Sequence, residues 1–452
     1  MVFPLLRWLK ISLINLLIVA ILGFVLRYKI LYPLPFIDQK HLLHGHSHFA
    51  FAGWITQAIM ALLVAYLVKQ QDNNDYKKYT WFLYANLITA YGMLIAFPIE
   101  GYGLFSIIFS TASIIVSYFF AFYYWRDLNR LSIKSAANPW FKAAVLFNAL
   151  SSLGAFALTI MMVKKVIHQN WYLAAEYFYL HFQYNGWFFF ACMGLFTAFI
   201  SRHTNTENSL TKIFRLFAFA IVPAYFLSAL WMDIPVWVYI LVILAAIAQV
   251  VGWWWLVKLI RKNWALLKPK FSTVSKYILA CSAAALTAKL LLQLGSTIPS
   301  LSDLAFGFRP IVIGYLHLVL LGVITLFLLG CMFAEDYFYL NKWAVRGVYT
   351  FAFAVILNEI LLMVQGVAAI TYTAIPFINE MLLVTAFFLF SGALLISFSK
   401  KKIYKSDFNH SLPFLLRQLC KKYNYDKHCR TNTGNHCNQQ PFCSSCTGKI
   451  RP

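Results

Sequence analysis

The chain has 452 residues, of which 61% are hydrophobic and only 12% are charged. A soluble domain is closer to half apolar and a quarter charged. A chain this apolar cannot cover itself with polar groups, so lipid must replace water around most of it, which excludes a soluble globular protein. The formal net charge of +23 is the one feature that would suggest a nucleic-acid partner.

Hydropathy predicts about twelve membrane spans, with eleven or thirteen as the alternatives. In chain order they lie near residues 8–27, 42–68, 79–98, 103–125, 139–163, 171–200, 212–231, 235–257, 277–296, 310–334, 346–369 and 376–398. Most are long enough to cross a hydrocarbon core of ~30 Å at about 1.5 Å per residue. The first apolar run lacks a small-residue cleavage site and therefore predicts a retained span. The predicted fold is an all-α polytopic membrane domain over residues 1–400, followed by a polar tail at 401–452.

Basic residues are concentrated in the loops that follow the even-numbered spans, with Lys77, Arg130 and Arg202 as examples. The connection Met232–Pro235, which follows an odd-numbered span, has no lysine or arginine. This asymmetry is the positive-inside bias of membrane proteins. It explains the net charge without nucleic acid. It also predicts a multi-pass protein of the inner (plasma) membrane, in contact with the lipid bilayer and with both termini in the cytoplasm.

Three of the predicted spans, the second, sixth and tenth, share a short motif of histidine, four residues and glycine. The pairs are His48 and Gly53, His181 and Gly186, and His317 and Gly322. These spans are four helices apart and run in the same direction, so the three histidines are predicted to lie at similar depth. Twelve helices built from three such four-helix units predict a pseudo-threefold arrangement about the membrane normal.

Ionisable residues inside a membrane are costly and usually functional, and neutral imidazole is a common metal and haem-iron ligand. The second span contains four histidines. His44 and His48 are four residues apart and share a helix face, which His41 extends. His46 points elsewhere and, like His41, is expected at the membrane interface.

A haem with two axial histidines needs one ligand from each of two facing helices. Span two facing span ten predicts such a haem, held by His317 together with either His44 or His48. At the same level, His181 is the candidate metal ligand.

Other polar residues in the predicted spans are candidates for supporting roles. Glu176 precedes His181 by five residues and is expected to hydrogen-bond a metal ligand, and Tyr184 follows in the same span. Lys289 and Glu359 are predicted either to form a buried ion pair or to belong to a proton path.

The predicted protein resembles the catalytic subunit I of haem-copper oxidases and nitric-oxide reductases. The shared features are twelve helices, cytoplasmic termini, a pseudo-threefold design and three histidine-bearing spans. As architecture, the resemblance covers the whole membrane domain. In that family a helix-two histidine, often followed by glycine, ligates the low-spin haem. His44-Gly45 fits that pattern, and His48 fits the internal repeat. The resemblance implies a haem protein with a role in electron transfer, gas sensing or respiratory-chain assembly. Its implied partners are other respiratory subunits or a soluble electron carrier.

The chain departs from this family at the copper site. His181 lies where helix six supplies a copper ligand, but Tyr184 follows it by three residues rather than four. The family's helix ten carries two histidines, whereas here Tyr315 and Val319 flank a single His317. Helix seven should supply a histidine pair, and 212–231 contains no histidine.

These departures describe a divergent member that lacks the family's usual copper site. Oxygen or nitric-oxide reduction by a terminal-oxidase type of enzyme is therefore the least favoured hypothesis. The alternative from another class is a transporter of a metal ion or small solute that uses the buried histidines, Lys289 and Glu359.

The tail 401–452 concentrates cysteine and histidine. It contains Cys420, His428, Cys429, His436, Cys437, Cys443 and Cys446. These are zinc-ligand residue types, but their spacing matches no standard zinc finger. Few apolar residues accompany them, which favours disorder. A zinc site in the tail is the alternative.

Overall fold

The computed structural model of the protein describes residues 3–70, 76–132, 134–301, 308–339, 341–398 and 400–401. The zinc and disorder predictions for the tail lie outside the described residues. Within them, eleven helices are long and apolar enough to cross a membrane. They are Leu5–Leu31, Gln39–Gln70, Lys77–Glu100, Leu104–Asn129, Ala137–Val163, Gln169–Ser201, Val236–Lys262, Thr273–Gly295, Arg309–Ala334, Lys342–Ile370 and Ile378–Ser397. This confirms an all-α polytopic membrane protein. These helices are spans 1–6 and 8–12.

Span 7, at 207–228, is interrupted. Its α-helix Glu207–Ala220 is followed by a 3₁₀ turn, Pro223–Ser228. Proline has no N–H to donate and its ring clashes with the carbonyl four residues earlier, so an α-helix does not continue through it undisturbed. The segment nevertheless runs antiparallel to span 6, because the Tyr225 hydroxyl donates to the carbonyl of Ala174, near the start of that span, at 2.9 Å.

Contacts at the ends of the helices show whether span 7 also crosses the membrane. Arg202, just after span 6, is paired with Glu335, just after span 10, so these two spans finish on the same side. An odd number of crossings must therefore lie between them, and span 7 supplies the third beside spans 8 and 9. The Tyr66 hydroxyl, near the end of span 2, donates to Asn138 Oδ1, at the start of span 5, at 2.8 Å. The side where spans 2, 6 and 10 finish is the basic end of the molecule.

Short elements complete the chain. A one-turn helix, Trp264–Leu267, and a 3₁₀ turn, Lys268–Lys270, connect spans 8 and 9. Two-residue strands, Phe338–Tyr339 and Lys400–Lys401, pair antiparallel. The first span, Leu5–Leu31, packs along the last span, Ile378–Ser397.

The three motif-bearing spans share a structural irregularity. Each changes from α-helix to a π-helical segment one or two residues after its motif histidine: Ala50–Thr56 in span 2, Phe182–Phe188 in span 6 and Leu318–Thr325 in span 10. π-Helical turns are rare and are found mostly at functional sites. The motif glycine lies inside the segment in all three spans, so the sequence repeat is also a repeat of local structure.

Side chains from neighbouring spans donate to backbone carbonyls of these segments. Asn15 Nδ2 of span 1 donates to the Gly53 carbonyl at 2.6 Å, and Asn86 Nδ2 of span 3 donates to the Ala52 carbonyl at 3.0 Å. Ser282 Oγ of span 9 donates to the Val323 carbonyl at 2.8 Å. Because lipid offers no hydrogen bonds, backbone groups inside a membrane need partners within the protein. These bonds hold spans 1 and 3 against span 2, and span 9 against span 10. We call spans 2, 6 and 10 the central spans.

Two indole hydrogen bonds join the central spans to each other. Trp54 Nε1 of span 2 donates to Thr325 Oγ1 of span 10 at 3.0 Å, and Trp187 Nε1 of span 6 donates to Thr56 Oγ1 of span 2 at 3.2 Å. In each case the tryptophan lies six residues after a motif histidine and the threonine eight residues after one. The repeat therefore links spans 6, 2 and 10 in order.

The third pairing, from span 10 to span 6, is missing. Val323 occupies the tryptophan position of span 10 and Phe189 the threonine position of span 6. We call the contact of these two spans the third interface.

Replacing Thr325 by valine removes the acceptor of the Trp54 indole while keeping the shape of the side chain. We expect the free energy of unfolding to fall by about 1 kcal/mol, the scale of hydrogen bonds between membrane helices. Thr385→Val is the matched control, because Thr385 is also buried but bonds only the carbonyl of Met381 in its own helix. Denaturation in detergent would contradict the account if both variants lost the same stability.

Candidate functional site

The histidine-rich start of span 2 is fixed by a helix cap. The carboxylate of Asp38 accepts hydrogen bonds from the backbone N–H groups of Lys40 at 2.8 Å and His41 at 2.9 Å. The bond from His41 contributes most to lowering the pKa of Asp38 below its ordinary value. Satisfying the first N–H groups in this way sets where the helix begins, and so sets the direction of each histidine that follows.

His44 and His48 share a face, as their spacing predicts, and this face packs on the end of span 3. The His48 ring is stacked on Phe97 with centroids 4.3 Å apart. The His44 ring meets Tyr102 edge-on at 4.7 Å. These rings occupy the face that was expected to turn toward span 10. The structure therefore gives no support to His44 or His48 as the partner of His317.

His41 packs against the turn that follows span 3. A Cβ placed on Gly101 would lie 2.5 Å from His41 Nε2, and the φ of Gly101 is +61°. Both the space and the backbone conformation require glycine there. His41 therefore helps to hold span 3 against span 2.

His46 lies on the opposite face of span 2, because two residues along an α-helix turn it by roughly 200°. It packs on span 1, where a Cβ on Gly23 would lie 3.3 Å from its Cε1 atom. The imidazole is within electrostatic range of His317 and Arg27. Its Nδ1 atom is buried and makes no hydrogen bond of normal length in the described residues, although the backbone of Val19 in span 1 lies beside the ring. The expectation that His46 is an interfacial residue is thus corrected: it is the span-2 histidine that the fold brings toward His317.

His317 is oriented by its own helix. Its Nδ1 atom lies 2.8 Å from the carbonyl oxygen of Ile313. A carbonyl can only accept, so Nδ1 carries the proton and Nε2 keeps the lone pair. Metal-binding histidines are commonly arranged in this way, with one nitrogen donating to a carbonyl and the other free to ligate.

Arg27, in the last third of span 1, lies within electrostatic range of both His46 and His317. Among the described residues, no acidic side chain forms an ion pair with Arg27. The site consists of two imidazoles and a guanidinium that has no carboxylate partner in that part of the chain.

His181 has a different environment. In an uninterrupted α-helix the carbonyl of Ile221 would accept from the N–H of Tyr225, but that N–H bonds Val222 instead. His181 Nε2 donates to the released Ile221 carbonyl at 2.8 Å, and its Nδ1 accepts from Asn185 Nδ2 at 3.2 Å. Both ring nitrogens are therefore used by the protein. In this conformation His181 joins span 6 to the break in span 7 and has no lone pair for a metal, contrary to its predicted role.

Glu176 and Tyr184, which lie on either side of His181 in the sequence, differ in burial. Glu176 is exposed and is not a hydrogen-bond partner of His181, so the predicted support of a metal ligand is not formed. Tyr184 is buried, and its ring meets Tyr315 of span 10 edge-on at 6.4 Å. Tyr184 is thus the residue of this pair that reaches the neighbourhood of His317.

Lys289 and Glu359 do not pair with each other. Lys289 is 4% exposed, and its Nζ atom lies over the Phe189 ring, 5.7 Å from the centroid. Glu359 accepts a hydrogen bond from the adjacent Asn358 at 3.1 Å. Of the two interpretations left open by the sequence, the ion pair is therefore not present.

Comparison with known proteins finds no matching family model and no matching curated protein. In the described residues, no group of three or more histidine, cysteine, aspartate or glutamate side chains is placed to hold a metal ion. The groups present at the site are one imidazole from each of two helices, His46 of span 2 and His317 of span 10, beside the guanidinium of Arg27.

Replacing His181 by leucine would leave the Ile221 carbonyl and the Asn185 amide without their buried partner. We expect a loss of about 1–3 kcal/mol in unfolding free energy, the cost of unsatisfied buried polar groups. The control is His168→Leu, at an exposed position before span 6. Equal stability of the two variants in thermal denaturation would contradict the structural role of His181.

Proposed function

We propose that the chain is a haem-binding membrane protein in which His46 of span 2 and His317 of span 10 would hold the haem iron. The proposal is carried by the position of His46, whose imidazole lies within electrostatic range of His317 and Arg27. Its Nδ1 atom is buried and makes no hydrogen bond of normal length in the described residues, with the backbone of Val19 in span 1 as a neighbour of the ring. A ligand bound between spans 2 and 10 would engage this imidazole.

The surrounding residues fit this group. The hydrogen bond to the Ile313 carbonyl presents His317 with Nε2 unprotonated, and an unprotonated nitrogen is what iron ligation needs. Haem carries propionate carboxylates, and guanidinium groups bind carboxylates strongly. Arg27, close to both histidines and without an ion pair in the described residues, is suited to hold one.

The two ligand-bearing helices are also tied together. The Trp54–Thr325 hydrogen bond joins spans 2 and 10 about two turns along each helix from His46 and His317. Such a bond keeps the spacing of the two imidazoles constant. A site whose ligands are held in place by surrounding contacts reorganises little when its charge changes.

With both iron ligands supplied by the protein, a bound haem would supply one-electron chemistry. Electron transfer is therefore favoured over gas sensing and over a role in respiratory-chain assembly. Partners in such a role would be respiratory subunits or a soluble electron carrier. We place the basic end in the cytoplasm and the protein in the inner (plasma) membrane, on the positive-inside rule.

Reduction of oxygen or nitric oxide has less support, because span 7 contains no histidine and both nitrogens of His181 are engaged. Transport of a metal ion or small solute has one observation in its favour, the buried amine of Lys289 without an ion pair in the described residues. Uptake into liposomes that is lost in Lys289→Met would support transport.

A reduced-minus-oxidised absorption spectrum of the protein, expressed with ample haem, tests the proposal. We expect the bands of a haem with two histidine ligands in the wild type. These bands should be lost or converted to those of a five-coordinate haem in His46→Leu and in His317→Leu, because each variant removes one ligand.

The matched control is His48→Leu, which removes a histidine two residues from His46 on the opposite face. We expect its spectrum to equal that of the wild type. The absence of haem bands from all the proteins would overturn the haem proposal. Loss of the bands in His48→Leu, with their survival in His46→Leu, would overturn the ligand assignment.

A further inference from the structure

A cavity of about 220 Å³ lies between spans 6, 8, 9 and 10, in the half of the membrane domain nearer the basic end. Its lining is almost entirely apolar, and Lys276 is the only charged residue among the described residues that line it. Prominent lining residues are Phe189, Met193, Trp253, Leu286, Val323 and Phe327. The cavity is separate from the histidine pair of spans 2 and 10.

The cavity lies at the third interface. Val323 and Phe189, which replace the tryptophan and threonine of the other two interfaces, both line it. At the other two interfaces an indole fills the space between the central spans and donates a hydrogen bond across it. Valine is much smaller than tryptophan and has no N–H. The cavity therefore lies where the internal repeat lacks its tryptophan and threonine.

The size and polarity of the cavity indicate its contents. An apolar cavity of ~150 Å³ stays dry and accepts a molecule as large as benzene. A cavity of 220 Å³ with apolar walls therefore suits a segment of hydrocarbon chain rather than water.

The charge around the cavity's basic end indicates that the headgroup of a bound lipid would be anionic. Trp264, Phe271 and Lys276 line the cavity at the connection between spans 8 and 9. This part of the chain is strongly basic and contains Lys258, Arg261, Lys262, Lys268, Lys270 and Lys276. The sequence has no acidic residue between Asp233 and Asp303. Basic clusters beside apolar pockets between membrane helices bind anionic lipid headgroups.

We propose that this cavity binds one acyl chain of an anionic phospholipid, whose headgroup phosphate is held by Lys276 and the neighbouring lysines Lys268 and Lys270. The lipid takes the place of the missing indole and completes the packing of spans 6 and 10. This inference is independent of the proposed haem site.

Native mass spectrometry tests the proposal on the full chain, extracted from vesicles of equal parts phosphatidylglycerol and phosphatidylcholine. We expect the wild type to retain one phosphatidylglycerol. Val323→Trp, which restores the repeat residue and fills the cavity, should retain none. Ala283→Phe fills the same cavity from span 9 and decides the question if Val323→Trp fails to fold. Lys276→Gln should lose the preference for phosphatidylglycerol.

Two controls change comparable residues elsewhere. Leu146→Trp adds an indole on the lipid-facing side of span 5, and Lys164→Gln removes an exposed charge at the end opposite the basic end. Both should retain lipid as the wild type does. The proposal is overturned if the wild type retains no phospholipid, if a free fatty acid or phosphatidylcholine is retained equally, or if both filling variants keep the lipid.

Discussion

The need to satisfy backbone carbonyls inside a membrane is the constraint on which this structure depends. Three central spans contain π-helical segments. Neighbouring helices supply donors to carbonyls there, as Asn15 and Ser282 do. The interruption of span 7 creates the same need, which His181 meets at Ile221. Polar side chains that look functional in the sequence are thus partly committed to the backbone, and those left uncommitted become the better candidates for ligand binding.

This division explains the different fates of the three motif histidines. His181 uses both ring nitrogens in hydrogen bonds, one of them to the break in span 7. The His48 ring stacks on Phe97 of span 3, on the face opposite His46. His317 keeps one nitrogen available, and its neighbour across the spans is His46, which lies outside the repeat. The sequence motif therefore marks the shared π-helical architecture more directly than it marks a shared set of ligands.

Much of the fold could be predicted from the sequence, because hydropathy and helical length determine how many spans cross the membrane. The repeat could be found as well, since histidine and glycine recur at fixed spacing. The face of span 2 that meets span 10 could not, because a hydrophobic pattern does not identify neighbours. The bond of His181 to Ile221 depends on how the chain continues past Pro223. A proline within span 7 was a visible signal of that break.

We propose that His46 and His317 together hold a haem between spans 2 and 10. The most direct test is an electron cryo-microscopy map of the purified, haem-loaded protein. We expect haem density joined to the His46 and His317 side chains, with His48 still stacked on Phe97. Density joined to His44 or His48, or a map of the haem-loaded sample with the space between His46 and His317 closed by protein, would contradict it.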